Sequence, residues 1–547
     1  MKCYLKLAVV SVLVLLFSSC GKNNEVGKMV PGNAIFVAQV DLKSLGNKLS
    51  WKEIQQTDIY KKAISDSSMK DWTKNLLENP SASGIDFDAG LVFFTADHDG
   101  NKYFAAEGKI KNQGDFTQFN KNFSQGTTSK NGDINLLNLK NSAVLGWKDK
   151  QFIYIMNAGD KIYKFGEWKD SSKMQNNTIP ADRSVEFSTL CKSLFSLKTD
   201  SSLAKNDRFS SLLKETGDIH VYQNTDAMIN NSAGMGALGM LKLDAFMKGN
   251  SSTYTINFDK GKIDVSQNVF VSQQLTDIVK KYSGNSVDMD MIRKIPSNNV
   301  IGLVAFNFKP EGITEMIKLT GMDGMINSYT QPMGFNLDDF SKATNGNWLL
   351  AFSDLDISDS MHHPGFNYVF AAGIQDKASL QKIVNAAKKT TDQMGKDSIL
   401  NYVMNDKLFV QSNHSSFANQ YLNGNSNTKF DFADNLSGHP VAFYLDLHKL
   451  LSQFSSWDMS KPGRKEILDQ SLNTWNNIIS TGGEFNNGGF TFKTEVNLVN
   501  KDSNSLQQLS KYFNQLFLIH EKTKAETPDI SHRLDSLLVP PPVDTVR

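Results

Sequence analysis

The sequence predicts an α+β protein built as two tandem homologous domains, each a mainly antiparallel sheet covered by helices. Three observations lead there. Similar segments recur at a near-constant interval. Strand patterns are joined by short turns and do not alternate strictly with helices. Amphipathic helical stripes follow corresponding strands in both halves.

The interval is clearest at two places. Residues 30–43 read VPGNAIFVAQVDLK and residues 295–308 read IPSNNVIGLVAFNF, so Pro31 corresponds to Pro296. Phe104-Ala105-Ala106 in the first half corresponds to Phe370-Ala371-Ala372 in the second. Self-similarity at a fixed spacing is the signature of an internal duplication. The apolar runs Leu91 to Phe94 and Leu349 to Phe352 precede the two FAA segments. Each pair reads as a β-hairpin. The first tip is short, Asp97-His98-Asp99-Gly100, with Asp-Gly as a strong turn signal. The second tip is longer, over residues 353–365.

Helical spacing follows in each half. Phe116, Phe119 and Phe123 recur on one face, as do Leu380, Ile383 and Ala387. Later strands are expected at Phe152 to Met156, Ile219 to Tyr222, Tyr254 to Phe258 and Ile263 to Val271. Their counterparts are Leu408 to Gln411, Val441 to Leu445 and Phe490 to Leu498. Each half closes with a helix, near 273–282 and 505–518. The boundary falls in the polar stretch 284–295, which gives domains over 29–290 and 291–520. Residues 521–547 form a tail in which Pro540-Pro541-Pro542 imposes extended geometry.

The N-terminus differs from all this. Lys2 and Lys6 precede the apolar run Leu7 to Phe17, and Ser18-Ser19-Cys20-Gly21 follows. A positive start, a short apolar stretch and small residues make a secretory signal over 1–20, too short to span a bilayer. A cysteine at the cut resembles a bacterial lipoprotein lipobox. The expectation is acylation of Cys20, a polar tether over 21–28, and a lipid bilayer as the anchoring partner.

Composition narrows the rest. The 547 residues are 40% hydrophobic and include 35 Phe, enough for substantial cores. The 58 basic and 57 acidic side chains cancel to +1, which leaves no basic excess for nucleic acid. Of three cysteines, Cys3 leaves with the signal and Cys20 is lipidated, so Cys191 stands alone in an apolar helical context and reads as a buried thiol.

Few motifs carry chemistry. Gly234-Met235-Gly236-Ala237-Leu238-Gly239 fits a dinucleotide fingerprint. The preceding strand ends too early for the glycines to sit at a strand-to-helix turn, so no nucleotide cofactor is expected. The same Gly/Met-rich segment, with Met235, Gly236, Leu238 and Met240, is the candidate binding segment, because methionines adapt to irregular surfaces. Asp354, Asp356, Asp359, His362 and His363 lie close enough in sequence to ligate a divalent cation. They match no calcium loop and also read as an enlarged, solvated hairpin tip. His520-Glu521 lacks the second histidine of a zinc-protease helix.

The opening VPGNAIFVAQVDLKSL and the segment LGMLKLDAFMKGNSSTYTINFDKGKIDVSQNVFV at 238–271 resemble an uncharacterised family of Bacteroidota envelope lipoproteins, known only as a domain of unknown function. The resemblance implies a duplicated α+β body in the outer membrane or periplasm and assigns no activity. Only Glu25 is acidic just after the anchor, which favours the periplasmic face over surface exposure. The expectation is a binding or structural module rather than an enzyme, with a protein, lipid or glycan partner. The competing reading is a hydrolase of envelope polymer or polysaccharide, which needs paired carboxylates in a cleft.

Overall fold

The structure is a computed structural model that describes residues 26–67, 69, 71–123, 128–139, 143–158, 183–230, 248–356, 365–393, 401–424, 428–456, 459 and 462–526. It is an α+β fold around one large antiparallel sheet. Eighteen strands join that sheet among the described residues. In chain order they are β1 (Phe36–Val40), β2 (Leu91–His98), β3 (Asn101–Lys109), β4 (Ser129–Asn131), β5 (Ile134–Asn138), β6 (Val144–Lys148), β7 (Gln151–Asn157), β8 (Ile219–Asn224), β9 (Ser251–Asp259), β10 (Lys262–Phe270), β11 (Val300–Asn307), β12 (Thr344–Asp356), β13 (Gly365–Ile374), β14 (Asn401–Met404), β15 (Leu408–Ser412), β16 (Val441–Asp446), β17 (Trp475–Asn486) and β18 (Gly489–Leu498).

Their pairings, all antiparallel, give the spatial order β4-β5-β6-β7-β3-β2-β1-β8-β9-β10-β18-β17-β16-β11-β12-β13-β15-β14. Two halves therefore share a single sheet. They meet where β10 lies against β18, from Lys262 opposite Asn497 to Val269 opposite Phe490. Side chains alternate between faces along each strand, and both faces carry cores. On one face, Val37, Phe94, Tyr103 and Ile155 pack under the helix Ser184–Phe195 and residues 203–212. The corresponding core of the second half gathers Leu303, Leu349, Val369 and Tyr444 under Phe417 and Tyr421 of the helix Ser415–Asn423. On the opposite face, Phe116 of the helix Gln113–Phe123 sits on Trp147 and Phe152. There Leu380 and Val384 of the helix Lys377–Gln393 cover Phe409.

Local chemistry explains several joints. The β2–β3 hairpin turns through Asp99 and Gly100 with φ of 52° and 78°. These are the positive angles of the turn that the Asp-Gly pair predicts. The Asp97 carboxylate accepts the Gly100 N–H at 2.8 Å. Gly146 has no room for a side chain, because a Cβ there would come within 2.0 Å of Cys191 Sγ. Cys191 is fully buried, as its apolar helix implied, and burial pushes its thiol up to about 12.

Within the polar stretch 284–295, Val287, Met291 and Ile292 are buried in the second-half core. The last helix, Ser505–Glu526, runs past the expected end near 518. Ion pairs Lys62–Glu521 and Lys522–Glu466 tie that extension to the body.

Candidate functional site: an apolar cleft beside the sheet

Between β1 and β2 the chain leaves the sheet and forms short helices: Leu42–Lys48, Trp51–Gln55, Asp58–Ser65 and Asp71–Glu78. Each of the first three starts at a residue whose side chain takes up a free backbone N–H. Asp41 accepts from Ser44 N and Thr57 from Tyr60 N. Ser50 and Glu53 form a reciprocal capping box. Asp218 holds the first helix against the sheet. Its fully buried carboxylate accepts from Ser44 Oγ at 2.6 Å, Lys48 Nζ at 2.6 Å and the Phe258 N–H at 2.7 Å. The helices are tied together around Leu77. Its carbonyl accepts from the Trp51 indole at 2.9 Å and from the Tyr60 hydroxyl at 3.0 Å.

These helices are apolar on one side and yet bury little. None of the three from Leu42 to Ser65 contains a fully buried residue. In the second half, the segment between β11 and β12 buries Pro310, Gly312, Thr314 and Leu337. The difference is a cleft of about 840 Å³. Leu42, Leu45, Leu49 and Ile54 form one wall, and Leu76, Leu77, Ile85 and Phe87 another. Ile219 and Phe258 of the sheet supply the floor, Phe119 and Leu506 complete the apolar lining, Asn79, Ser81 and Ser83 are polar, and Glu78 is the only charged residue among the described lining residues. Gly46 faces the space, and a Cβ added there would meet nothing within 4 Å. Such a volume and lining fit small-molecule sites, which span ~300–1,000 Å³.

The wall contributed by Leu506 belongs to the final helix, far away in sequence. Asn514 of that helix caps the helix Asp58–Ser65, and Gln507 donates to Glu53 Oε1 at 3.2 Å. The helix Gln273–Tyr282, which follows β10, crosses to the other half in the same manner. There Lys281 pairs with Glu315 at 3.1 Å, and Gly312 lies against Tyr282 and Phe308. Each half's closing helix is thus seated on the excursion of the other half.

Among the described residues, the cleft lining includes none of the sequence-predicted site residues. Cys20 and the segment containing Met235, Gly236, Leu238 and Met240 lie outside the described residues, as do Asp359, His362 and His363. Asp354 is placed at the end of β12 and is already engaged. Its oxygens accept from Ser297 Oγ at 2.8 Å, Ser353 Oγ at 2.9 Å and Asn367 Nδ2 at 3.0 Å. Asp356 sits opposite Gly365 at the strand end. Among the described residues no group of three or more His, Cys, Asp or Glu side chains could hold a metal ion. Nor is any helix among them long and apolar enough to cross a membrane. His220 is a structural histidine, with Nδ1 2.7 Å from Gln39 Oε1 and a pKa lowered by burial.

The sequence reading passed over residues 42–89. Signals were present in the Leu42, Leu45 and Leu49 spacing and in the Ser50-x-x-Glu53 capping box. The cleft itself depends on distant residues and leaves no local pattern.

No curated protein and no solved structure matches this chain. Residues 27–423 match a family described as a domain of unknown function (DUF4836), a span that includes the whole helical excursion and both FAA strands. The chain belongs to that family.

Proposed function

We propose that this protein is a lipid-anchored cell-envelope protein whose body binds an apolar ligand in the cleft between the sheet and the helices of residues 42–78. The cleft carries the reading. A lining dominated by Leu, Ile, Phe and Trp over about 840 Å³, with Glu78, Asn79, Ser81 and Ser83 as its polar residues, offers mainly apolar contact. Each methylene removed from water there contributes about 0.8 kcal/mol, close to fourfold in affinity. The lining includes one carboxylate, Glu78, whereas hydrolysis of a glycosidic bond uses two. Binding is therefore the better-supported activity.

The anchor rests on the N-terminal pattern: a positive start, the apolar run Leu7 to Phe17, and Cys20 after two serines. The bilayer would be the partner through acylated Cys20, and the single acidic residue after it favours the periplasmic face of the outer membrane. Likeness to Bacteroidota envelope lipoproteins in 30–45 and 238–271 agrees with this. A tandem duplication accounts for the mirrored strand order on either side of the β10–β18 seam. It also accounts for the Gln-Gln-Leu that opens both closing helices, at 273–275 and 507–509.

Titration with the uncharged apolar dye phenylnaphthylamine tests the cleft. Saturable fluorescence enhancement is expected with wild type and not with Gly46→Leu, which places a side chain in the open space. Equal enhancement in both proteins would refute the reading. Metabolic labelling with an alkyne fatty acid tests the anchor: label lost in Cys20→Ala supports it, and label retained refutes it.

A further inference from the structure

A second pocket of about 270 Å³ borders the cleft, lined by Glu53, Gln56, Thr57, Ser510, Lys511 and Gln515 among others. Leu49 borders both spaces. The lining changes character across single peptide bonds on two elements. Ile54 faces the cleft and Glu53 the annex; Leu506 faces the cleft and Gln507 the annex. An apolar space beside an amide-lined one, with Leu49 in the lining of both, is complementary to a molecule with the same division.

The annex chemistry narrows the polar end. Its two charged groups have opposite sign, and Lys511 is close enough to Glu53 to favour its ionised form. Hydrogen bonds from Ser50, the larger effect, hold Glu53 below the usual carboxylate range. The annex thus offers no net charge to attract an ionic head. Thr57, Asn514 and Gln507 are committed to helix caps and to Glu53. The side chains of Gln56, Ser510 and Gln515 make no hydrogen bond with the described residues. Two amides and a hydroxyl, each able to donate and accept, suit hydroxyl groups.

We infer that the ligand is a single-chain amphiphile with an uncharged, polyhydroxylated head, its chain in the cleft and its head in the annex. This rests on the binding reading above. The annex straddles the contact between the final helix and the helices of residues 51–65, so a bound head would bridge the two halves of the chain.

The test uses three competitors with one chain length: decyl glucoside, decanoate and decylammonium. Each displaces phenylnaphthylamine from the full-length protein below its micelle concentration. Decyl glucoside is expected to displace the dye at roughly tenfold lower concentration than either ion, the equivalent of one to two well-made hydrogen bonds. In the double variant Gln56→Ala, Gln515→Ala that ratio is expected to fall below about threefold. Equal displacement by all three, preference for an ion, or a ratio unchanged in the double variant overturns the head-group assignment and leaves the cleft reading standing. Failure of the dye to bind wild type overturns both.

Discussion

Asn514 closes the N-terminus of a helix that begins at Asp58, 456 residues earlier in the chain. Its Oδ1 accepts the Asp58 N–H at 2.7 Å and its Nδ2 donates to the Asp58 carboxylate at 2.9 Å. That amide lowers the Asp58 pKa more than any other neighbour. The contact ties the helices beside the cleft to the opposite end of the sequence. Replacing Asn514 by Ala removes these hydrogen bonds to the first turn, leaves the Thr57 cap in place and creates no clash. Hydrogen exchange in residues 51–65 is expected to accelerate roughly fivefold, a typical cap loss, with little change in the strands. Uniform exchange across the whole chain would contradict the local role.

Gly46 offers the opposite experiment. It lies in the helix Leu42–Lys48, and its missing side chain would project into open space. Leucine there replaces a poor helix former with a good one. Gly46→Leu is expected to stabilise the protein by about 1 kcal/mol in urea unfolding while removing dye binding. Destabilisation would show that the cleft is not open at this position.

Glu107 sits in β3 with its side chain turned to the buried face. It accepts the Gly27 N–H, but its Oε2 has no partner among the described residues. Burial raises its carboxyl from 4.5 to about 8. Between those values the folded state holds one proton more than the unfolded chain. Stability therefore falls as pH rises through that window, by about 1.4 kcal/mol per pH unit from this group. Below 4.5 both states are protonated and the group contributes no penalty; above about 8 the full penalty remains. Glu107→Gln is expected to flatten the slope, so that its advantage over wild type in urea grows from acid toward pH 8. A pH-independent difference would contradict a buried, protonated carboxyl.

Gly146 and Cys191 form a coupled pair. Alanine at 146 would drive Cβ into the thiol, so Gly146→Ala alone is expected to cost about 1–3 kcal/mol. Adding Cys191→Ala removes the obstructing sulfur and should recover most of that loss. Additive unfolding energies for the two substitutions would contradict the contact.

The sequence made some features legible and concealed others for physical reasons. The turn at Asp99-Gly100 requires positive φ at adjacent residues, and that requirement is written locally. The FAA strands β3 and β13 were readable from the recurring segment, and the helix Gln273–Tyr282 and the burial of Cys191 from their local sequence context. The pairing of β10 with β18 was not. Strand pairing between Lys262 and Asn497 leaves no mark in the composition of either segment. The cleft was hidden for a similar reason. Its floor is positioned by Asp218 and its lining is completed by Leu506, each remote from the helices they complete. The charged tip containing Asp354 drew attention because acidic residues are conspicuous, yet three donors already occupy that carboxylate.

The most direct measurement is a crystal structure of the protein with decyl glucoside. The account predicts continuous density for the alkyl chain between Leu45, Phe119 and Phe258, with the sugar beside Gln56 and Gln515. An empty cleft at saturating ligand, or a chain seated instead on exposed aromatic residues such as Phe352 and Phe366, would contradict it.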